Sequence, residues 1–124
     1  MHVLSNILAL DPMDLCNLAS LGSNTTISST CTVFAESEVV GLIGRGESKE
    51  NLAYAVIDFI TTKVSSQAMH IDLKNMPIAI TGGLCECNYL VQALGEKLNV
   101  NILADKDARF AGAIGAALFA KELV

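Results

Sequence analysis

The chain lacks most of what membrane, secreted and nucleic-acid-binding proteins use. Its 124 residues include no Trp, two Pro and only eight Lys or Arg, against thirteen Asp or Glu, for a net charge of −5. The few basic residues are scattered, which argues against a nucleic-acid surface. The apolar runs are too short to cross a bilayer, which takes about 20 residues, and the first residues lack the basic region of a signal peptide. We therefore expect a cytoplasmic protein with no membrane or nucleic-acid partner.

Apolar residues are abundant: they make up 52% of the chain, charged residues make up 17%, and the mean hydropathy is +0.47. This composition excludes disorder, and the length suits a single domain over residues 1–124. The chain is more apolar than a free-standing monomer needs. The excess indicates a partner surface or a missing half.

Cysteine is present at four positions, a density far below that of a disulfide-stabilised secreted domain. The spacing also lacks the two Cys-x-x-Cys pairs of a structural zinc site. We therefore expect reduced thiols, and we interpret Cys16, Cys85 and Cys87 as ordinary buried or surface thiols. Zinc binding by Cys85 and Cys87 is an alternative, and it predicts stoichiometric zinc in the purified protein.

The first third of the chain carries local helix signals. Apolar spacing predicts an opening helix near residues 3–8. Asp11 and Pro12 are typical of the cap and first position of a second helix, and Gly22 is typical of its end. The β-branched run 25–28 predicts a short strand or extended segment.

Two longer helices are expected next. One begins just after Cys31 and runs to about Ile43, and the other is capped by Ser48. The second has a continuous apolar side over four turns, formed by Leu52, Val56, Phe59, Ile60 and Val64.

Strands and helices alternate in the second half. Apolar runs predict strands at 77–81 and 100–103 with a helix between them, and a closing helix at about 108–123. This alternation predicts an α/β fold with a short sheet and several helices. Small residues fill 111–117, and because Gly inside a helix costs about 1 kcal/mol relative to Ala, Gly112 and Gly115 indicate a very close neighbour: another helix, a strand or a ligand.

A glycine pair follows the first of these predicted strands. Gly82 and Gly83 would let a ligand lie against bare backbone, and the following helix start offers N–H groups to an acceptor. A plain strand-to-helix turn is an equally good interpretation of so short a motif.

A second candidate position is Cys31, at a predicted helix start. The positive end of the helix favours the thiolate, and Thr30 and Thr32 can donate hydrogen bonds to its sulfur. The alternative is a small buried apolar side chain. A single Cys cannot hold a four-iron cluster, because such a cluster takes four thiolates.

Acidic residues near these positions are interpreted as solvated helix faces, namely Glu36, Glu38, Glu47 and Glu50. Glu36 and Glu50 are weak exceptions, since each is near a candidate site in the sequence.

The run from Ser28 to Val39, SSTCTVFAESEV, closely resembles a signature of the activator proteins of 2-hydroxyacyl-CoA dehydratases. These belong with the benzoyl-CoA reductase ATPase subunits in the acetate and sugar kinase/Hsp70/actin superfamily. Residues 81–83 resemble the family's adenosine-binding turn, and residues 107–118 resemble its closing helix. The resemblance covers nearly the whole chain, in the same order.

The resemblance implies a partial ribonuclease H-like, actin-like ATPase fold, with residues 1–124 as a C-terminal lobe of a two-lobe ATPase. Such activators are homodimers in which one [4Fe-4S] cluster bridges the subunits. Their ATP hydrolysis drives an electron to the dehydratase. The N-terminal lobe, with its phosphate loops and the acidic residues that hold magnesium, is expected to lie outside this chain.

The resemblance also implies site residues. Cys31 would be one of the two cluster ligands that each subunit gives, the other lying in a Cys-Ala-Ala-Gly-Thr-Gly-type segment upstream of this chain. Contacts to ATP or ADP are expected from Thr81, Gly82, Gly83, Leu84, Glu50 and Gly112. No catalytic residue is assigned, and the isolated chain is expected neither to hydrolyse ATP nor to hold a stable cluster.

Two alternatives to this function stay open. The chain could be a nucleotide-binding lobe of an activator-like protein that serves no dehydratase. It could also be a non-catalytic dimerisation domain that uses the small-residue helix at 111–117 and the excess of apolar surface.

Overall fold

The computed structural model describes residues 2–73 and 75–123. The helices and strands in these ranges are α1 (His2–Ile7), α2 (Pro12–Ala19), α3 (Thr32–Gly44), α4 (Lys49–Ala68), β1 (Ile78–Ala79), α5 (Asn88–Leu98), β2 (Ile102–Leu103) and α6 (Ala111–Glu122). Two 3₁₀ helices, Gly83–Glu86 and Lys106–Phe110, precede α5 and α6.

The sheet consists of β1 and β2, which run parallel with Ile78 opposite Ile102 and Ala79 opposite Leu103. Both strands were predicted, and both are shorter than the apolar runs that contain them. Of the strand or extended segment predicted at 25–28, the strand does not form, because these residues pair with no other strand in the described part of the chain. The amide of Ser28 instead donates to a side chain, as described below.

The core lies among α1 to α4 and the start of α5. It is formed by the buried residues Leu4, Leu8, Leu15, Cys16, Ala19, Ala35, Val39, Leu42, Leu52, Ala53, Val56, Ile57, Phe59, Cys87 and Leu90. The predicted apolar side of α4 is confirmed over its first three turns. Val64, further along the same helix, is 40% exposed.

Two helix starts were predicted correctly from local sequence. Asp11 accepts a hydrogen bond from the amide of Met13 at 2.8 Å, with Pro12 at the first helical position. Ser48 accepts one from the amide of Asn51 at 3.2 Å. Such caps satisfy N–H groups that have no partner inside the helix.

The predicted end of α2 at Gly22 is wrong, because α2 ends at Ala19. Gly22 has a different role: a Cβ atom at this position would overlap the carbonyl group of Glu50 at the start of α4. The amide of the next residue, Ser23, donates to the Asn51 side chain at 3.0 Å. Gly22 therefore allows the α2–α3 connection to lie directly against α4.

The expectation that Cys16 and Cys87 are reduced is also wrong. Their sulfur atoms form a disulfide bond between α2 and the residue that precedes α5, with a Cα–Cα distance of 5.8 Å. The same bond removes the zinc alternative in this state of the protein, because Cys87 is already bonded.

The closing helix α6 begins after a 3₁₀ helix rather than near 108. None of its residues is buried. Apart from the adjacent residues and the helix's own backbone, no atom of the described residues lies within 4 Å of where a Cβ would stand at Gly112 or Gly115. The described residues therefore do not provide the close neighbour predicted for these two glycines. No helix in residues 2–73 and 75–123 has both the length and the apolar character needed to span a membrane.

Candidate functional site

The glycine turn follows β1, as predicted. Gly82 has φ 87° and ψ 178°, a backbone conformation that is essentially restricted to glycine. Its amide donates to the carbonyl of Ala108 at 3.0 Å, and its carbonyl accepts from the amide of Cys85 at 3.0 Å. A 3₁₀ helix follows the turn directly, so α5 begins only at Asn88. The turn is thus held between the two 3₁₀ helices.

A cavity of about 500 Å³ lies beside this turn. Its lining residues are Asp11, Pro12, Met13, Gly83, Leu84, Glu86 and Arg109. Two of the predicted nucleotide contacts, Gly83 and Leu84, therefore share one cavity wall, and Thr81 and Gly82 directly precede them in the chain. Glu50, on the first turn of α4, and Gly112, on α6, are not among its lining residues.

The charged residues of this cavity were not predicted as site residues. The Arg109 guanidinium lies 3.1 Å and 3.2 Å from the two carboxylate oxygens of Glu86. It also lies 5.0 Å from the centre of the Phe110 ring. The sequence carried one signal for a functional role of Arg109: this residue lies within 107–118, which resemble the family's closing helix. An arginine here suits a negatively charged group, because its guanidinium binds phosphate oxygens through directed N–H donors.

Cys31 lies at a separate place, at the N-cap of α3. Its backbone is extended, and its carbonyl accepts the first helical hydrogen bond from the amide of Ala35 at 3.0 Å. The thiol is free and exposed. The prediction that a helix begins just after Cys31 is confirmed, and the alternative of a buried cysteine is wrong.

The loop before Cys31 is held by Glu38, which was wrongly interpreted as part of a solvated helix face. The Glu38 carboxylate accepts hydrogen bonds from the amides of Ser28 and Ser29, at 2.9 Å and 3.1 Å. It also accepts from their hydroxyl groups, at 3.0 Å and 2.6 Å. Four donors on one carboxylate fix the path of the chain two and three residues before the thiol.

These donors lower the pKa of Glu38 from its usual value of 4.5 to about 2, with the Ser28 amide as the largest cause. The carboxylate therefore adds stability that is fully present above pH 4.5. This stability is lost as the pH falls from 4.5 towards 2, because protonation removes an acceptor.

We expect Glu38→Gln to reduce the free energy of unfolding at pH 7 by about 1–2 kcal/mol, a value discounted for partial solvent screening. Urea unfolding at pH 7 and at pH 3 measures this loss of unfolding free energy, which should be smaller at pH 3. Glu36→Gln on the same helix is the control. An equal loss in both variants, or a loss from Glu38→Gln that does not change with pH, would contradict the assignment.

The residues present fit one ligand of a cluster and not a whole cluster. Within residues 2–73 and 75–123, no three His, Cys, Asp or Glu side chains are grouped closely enough to hold a metal ion. Cys85 is buried, and its thiol donates to the carbonyl of Asp105 at 3.5 Å. An exposed cysteine at a helix N-terminus is suited to give one thiolate to a shared site.

This fold is that of part of an actin-like ATPase. The chain belongs to the BadF/BadG/BcrA/BcrD ATPase family, whose sequence profile matches residues 4–120.

Relatives of this chain carry related names. It is 38% identical over 125 residues to a protein of Acidaminococcus fermentans named (R)-2-hydroxyglutaryl-CoA dehydratase activating ATPase, covering 97% of this chain and 46% of that protein. It is 30% identical over 121 residues to the 2-hydroxyisocaproyl-CoA dehydratase activator of Clostridioides difficile, covering 97% of this chain and 45% of the relative. The chain thus spans less than half the length of these relatives.

Two solved structures also resemble this chain. The crystal structure of component A of the A. fermentans (R)-2-hydroxyglutaryl-CoA dehydratase matches with a TM-score of 0.86 at 34% identity, over 95% of this chain and 46% of the other. The C. difficile 2-hydroxyisocaproyl-CoA dehydratase activator, solved with bound ADPNP, matches with a TM-score of 0.86 at 30% identity, over 94% of this chain and 44% of the other.

Proposed function

We propose that this chain is the C-terminal nucleotide-binding part of an ATP-dependent iron–sulfur activator, which passes an electron to a 2-hydroxyacyl-CoA dehydratase in the cytoplasm. One observation carries the proposal: an exposed thiol, Cys31, at the N-cap of α3, in a loop fixed by four hydrogen-bond donors that bind the Glu38 carboxylate. The sequence similarity to dehydratase activators gives this thiol its expected chemistry.

The nucleotide would bind at the turn after β1. The bare backbone of Gly82 and Gly83, the adjacent cavity and the nearby Arg109 support this part of the proposal. So does the ADPNP that a structural relative contains. Thr81 and Leu84 would complete the turn, while Glu50 and Gly112 would contact ATP or ADP from outside the cavity. Magnesium would be held mainly by residues outside this chain.

A [4Fe-4S] cluster would supply a one-electron carrier, and Cys31 would hold one of its iron atoms as a thiolate. Three further thiolates are required, so the cluster would lie between chains in a homodimer. Exposed apolar side chains on α3 support this arrangement. Val33 and Phe34, which follow the thiol, are 66% and 68% exposed, and Val40 is 56% exposed.

The N-terminal lobe would cover α6. This helix is apolar but has no buried residue, and Ile114, Leu118 and Phe119 are 49%, 61% and 63% exposed. Contiguous apolar surface of this kind marks an interaction site. The part of the activators that this chain does not match is long enough to be that partner, since it makes up more than half of each relative.

The first test compares the purified chain with a chimera in which the unmatched N-terminal part of the A. fermentans activator precedes it. After anaerobic treatment with iron and sulfide, we expect the chimera to hold about four iron atoms per dimer and to hydrolyse ATP. The chain alone should do neither. Iron content and phosphate release are the measurements.

Matched cysteine variants of the chimera make this test specific. Cys31→Ser should abolish the cluster, while Cys85→Ser should leave iron content unchanged, because the Cys85 thiol is buried against Asp105. Iron retained in Cys31→Ser would contradict the ligand assignment. Robust ATP turnover by the 124-residue chain alone would contradict the proposal of an incomplete enzyme.

The α6 surface gives a separate prediction. Leu118→Asp should change the unfolding free energy of the isolated chain by less than about 0.5 kcal/mol, because the side chain is already exposed. The same change should destabilise the chimera by about 2 kcal/mol. Thermal unfolding of both proteins measures this, with the loop variant Leu21→Asp as a control, since Leu21 is 74% exposed. An equal effect of the two variants in the chimera would rule out coverage of α6 by the N-terminal lobe.

A second candidate function has the same fold but involves no dehydratase partner. The uncovered α6 also suits a non-catalytic nucleotide-binding or dimerisation domain of an activator-like protein with no dehydratase partner. Unchanged iron content and activity of the chimera after Cys31→Ser would favour this candidate.

A further inference from the structure

A disulfide joins two parts of the fold that are far apart in sequence. Cys16 lies on α2 and Cys87 ends the 3₁₀ helix Gly83–Glu86, 71 residues later. Cys87 is also the N-cap residue of α5. Its amide donates to the carbonyl of Leu84 at 3.1 Å, and its carbonyl accepts from the amide of Val91 at 3.0 Å. The bond to Cys16 therefore anchors the point where the 3₁₀ helix passes into α5.

Both cysteines are buried, with exposures of 3% and 1%, but an open cavity reaches them. The cavity has a volume of about 270 Å³, and its lining includes Cys16, Cys87, Asn17 and Gln92. It shares Met13 and Glu86 with the cavity beside the glycine turn. This cavity is where a small thiol or disulfide molecule would approach the bond.

The geometry selects this pair among the four cysteines. Cys85 is only two residues from Cys87, but its thiol donates to the carbonyl of Asp105 at 3.5 Å. Cys31 is exposed at the start of α3. Cys87 is at the N-terminus of α5, an 11-residue helix.

We propose that Cys16 and Cys87 form a reversible redox site, which exchanges with low-molecular-weight disulfides such as oxidised glutathione and controls the order of residues 82–87. One protein thiolate attacks the small disulfide, forming a mixed disulfide and releasing one small thiol. The second protein thiolate then displaces the second small thiol. Overall, two protein thiols lose two electrons and two protons, and the small disulfide is reduced to two thiols.

The redox state of the compartment would decide whether the disulfide between Cys16 and Cys87 forms or is reduced. A glutathione-rich cytoplasm keeps most thiols reduced, so the crosslinked form would accumulate only under oxidation. In the crosslinked form the end of the 3₁₀ helix is tied to α2, and in the dithiol form this tie is absent. The inference goes beyond the proposed function and holds whether or not the chain binds a nucleotide.

The test uses the 124-residue chain carrying Cys31→Ser, which removes the exposed thiol from the count. The reduced protein is treated with oxidised glutathione, unfolded, labelled with N-ethylmaleimide and weighed by mass spectrometry. Before oxidation we expect three labels, because Cys16, Cys85 and Cys87 are all thiols. After oxidation we expect one label, on Cys85, because Cys85 is not part of the disulfide. Adding Cys85→Ser should preserve the loss of two labels, and adding Cys87→Ser should abolish it.

Hydrogen exchange in the folded protein tests whether the disulfide controls the order of residues 82–87. Amides 82–87 should exchange about tenfold more slowly in the oxidised form than in the reduced form.

Labels that remain on both Cys16 and Cys87 after oxidation, glutathione left on a single cysteine, or a mapped Cys85–Cys87 bond would each overturn the redox site. Equal exchange in the two forms would overturn the control of residues 82–87. The label counts before and after oxidation need no variant at Cys16 or Cys87, so this readout does not depend on whether the Cys87→Ser variant folds.

Discussion

Gly22→Ala is expected to destabilise the fold by about 3 kcal/mol, near the upper end of the usual cost of overpacking. The added Cβ would overlap the backbone carbonyl of Glu50, and a backbone group inside a helix cannot move aside as a flexible side chain can. The α2–α3 connection would have to shift away from α4 and would lose the hydrogen bond from Ser23 to Asn51. Urea unfolding followed by circular dichroism measures the change.

Gly44→Ala is the matched control for this substitution. Gly44 is the last residue of α3, and apart from the adjacent residues and the helix's own backbone, no atom of the described chain lies within 4 Å of the position of its Cβ. Alanine in a helix is favoured over glycine by about 1 kcal/mol, so this variant should be neutral or slightly more stable. If Gly22→Ala proves as stable as Gly44→Ala, the close approach of the connection to α4 is wrong.

Reducing the Cys16–Cys87 bond is expected to lower the free energy of unfolding by about 4 kcal/mol. The bond closes a loop of 71 residues, and a crosslink of this span restricts the unfolded chain strongly in the loop-entropy description. The midpoint of urea unfolding should therefore fall when a phosphine reductant is added to the oxidised protein. The effect should show clearly in a 124-residue domain, because the net stability of small proteins is only about 5–15 kcal/mol.

Two variants separate this effect from a general effect of the reductant. The double variant Cys16→Ala with Cys87→Ala should unfold at nearly the same urea concentration with and without reductant. Cys85→Ala should keep the full difference between the two conditions, since Cys85 is not part of the bond. A double variant as stable as the oxidised parent protein would show that the crosslink contributes little.

Local features of this chain could be predicted because their causes lie within a few residues. The Asp11 cap depends on Met13, and the Ser48 cap depends on Asn51. The start of α3 after Cys31 and the glycine turn after β1 are of the same kind. The likeness of residues 28–39, 81–83 and 107–118 to known activators also led to the right family, since a family signature is itself a sequence property.

Features that involve distant residues could not be predicted in this way. Glu38 looked like a solvated helix residue because its partners, Ser28 and Ser29, lie about ten positions earlier, in a loop whose path is set by packing. No strand formed at 25–28, where a strand or an extended segment was predicted, for a related reason: a β-branched run forms a strand only where a partner strand lies beside it. Arg109 and Glu86 meet across 23 residues at the rim of the cavity.

The sequence by itself determined the helical framework, the family and the position of Cys31 just before a helix, since periodicity, caps and motifs act over short distances. Tertiary structure alone decided that Gly22 lies against Glu50, that Glu38 holds the loop before Cys31, and that Cys16 bonds to Cys87 rather than remaining a thiol. The physical reason is that each of these depends on which surfaces meet when the helices pack, and packing brings together residues whose separation along the chain carries no signal.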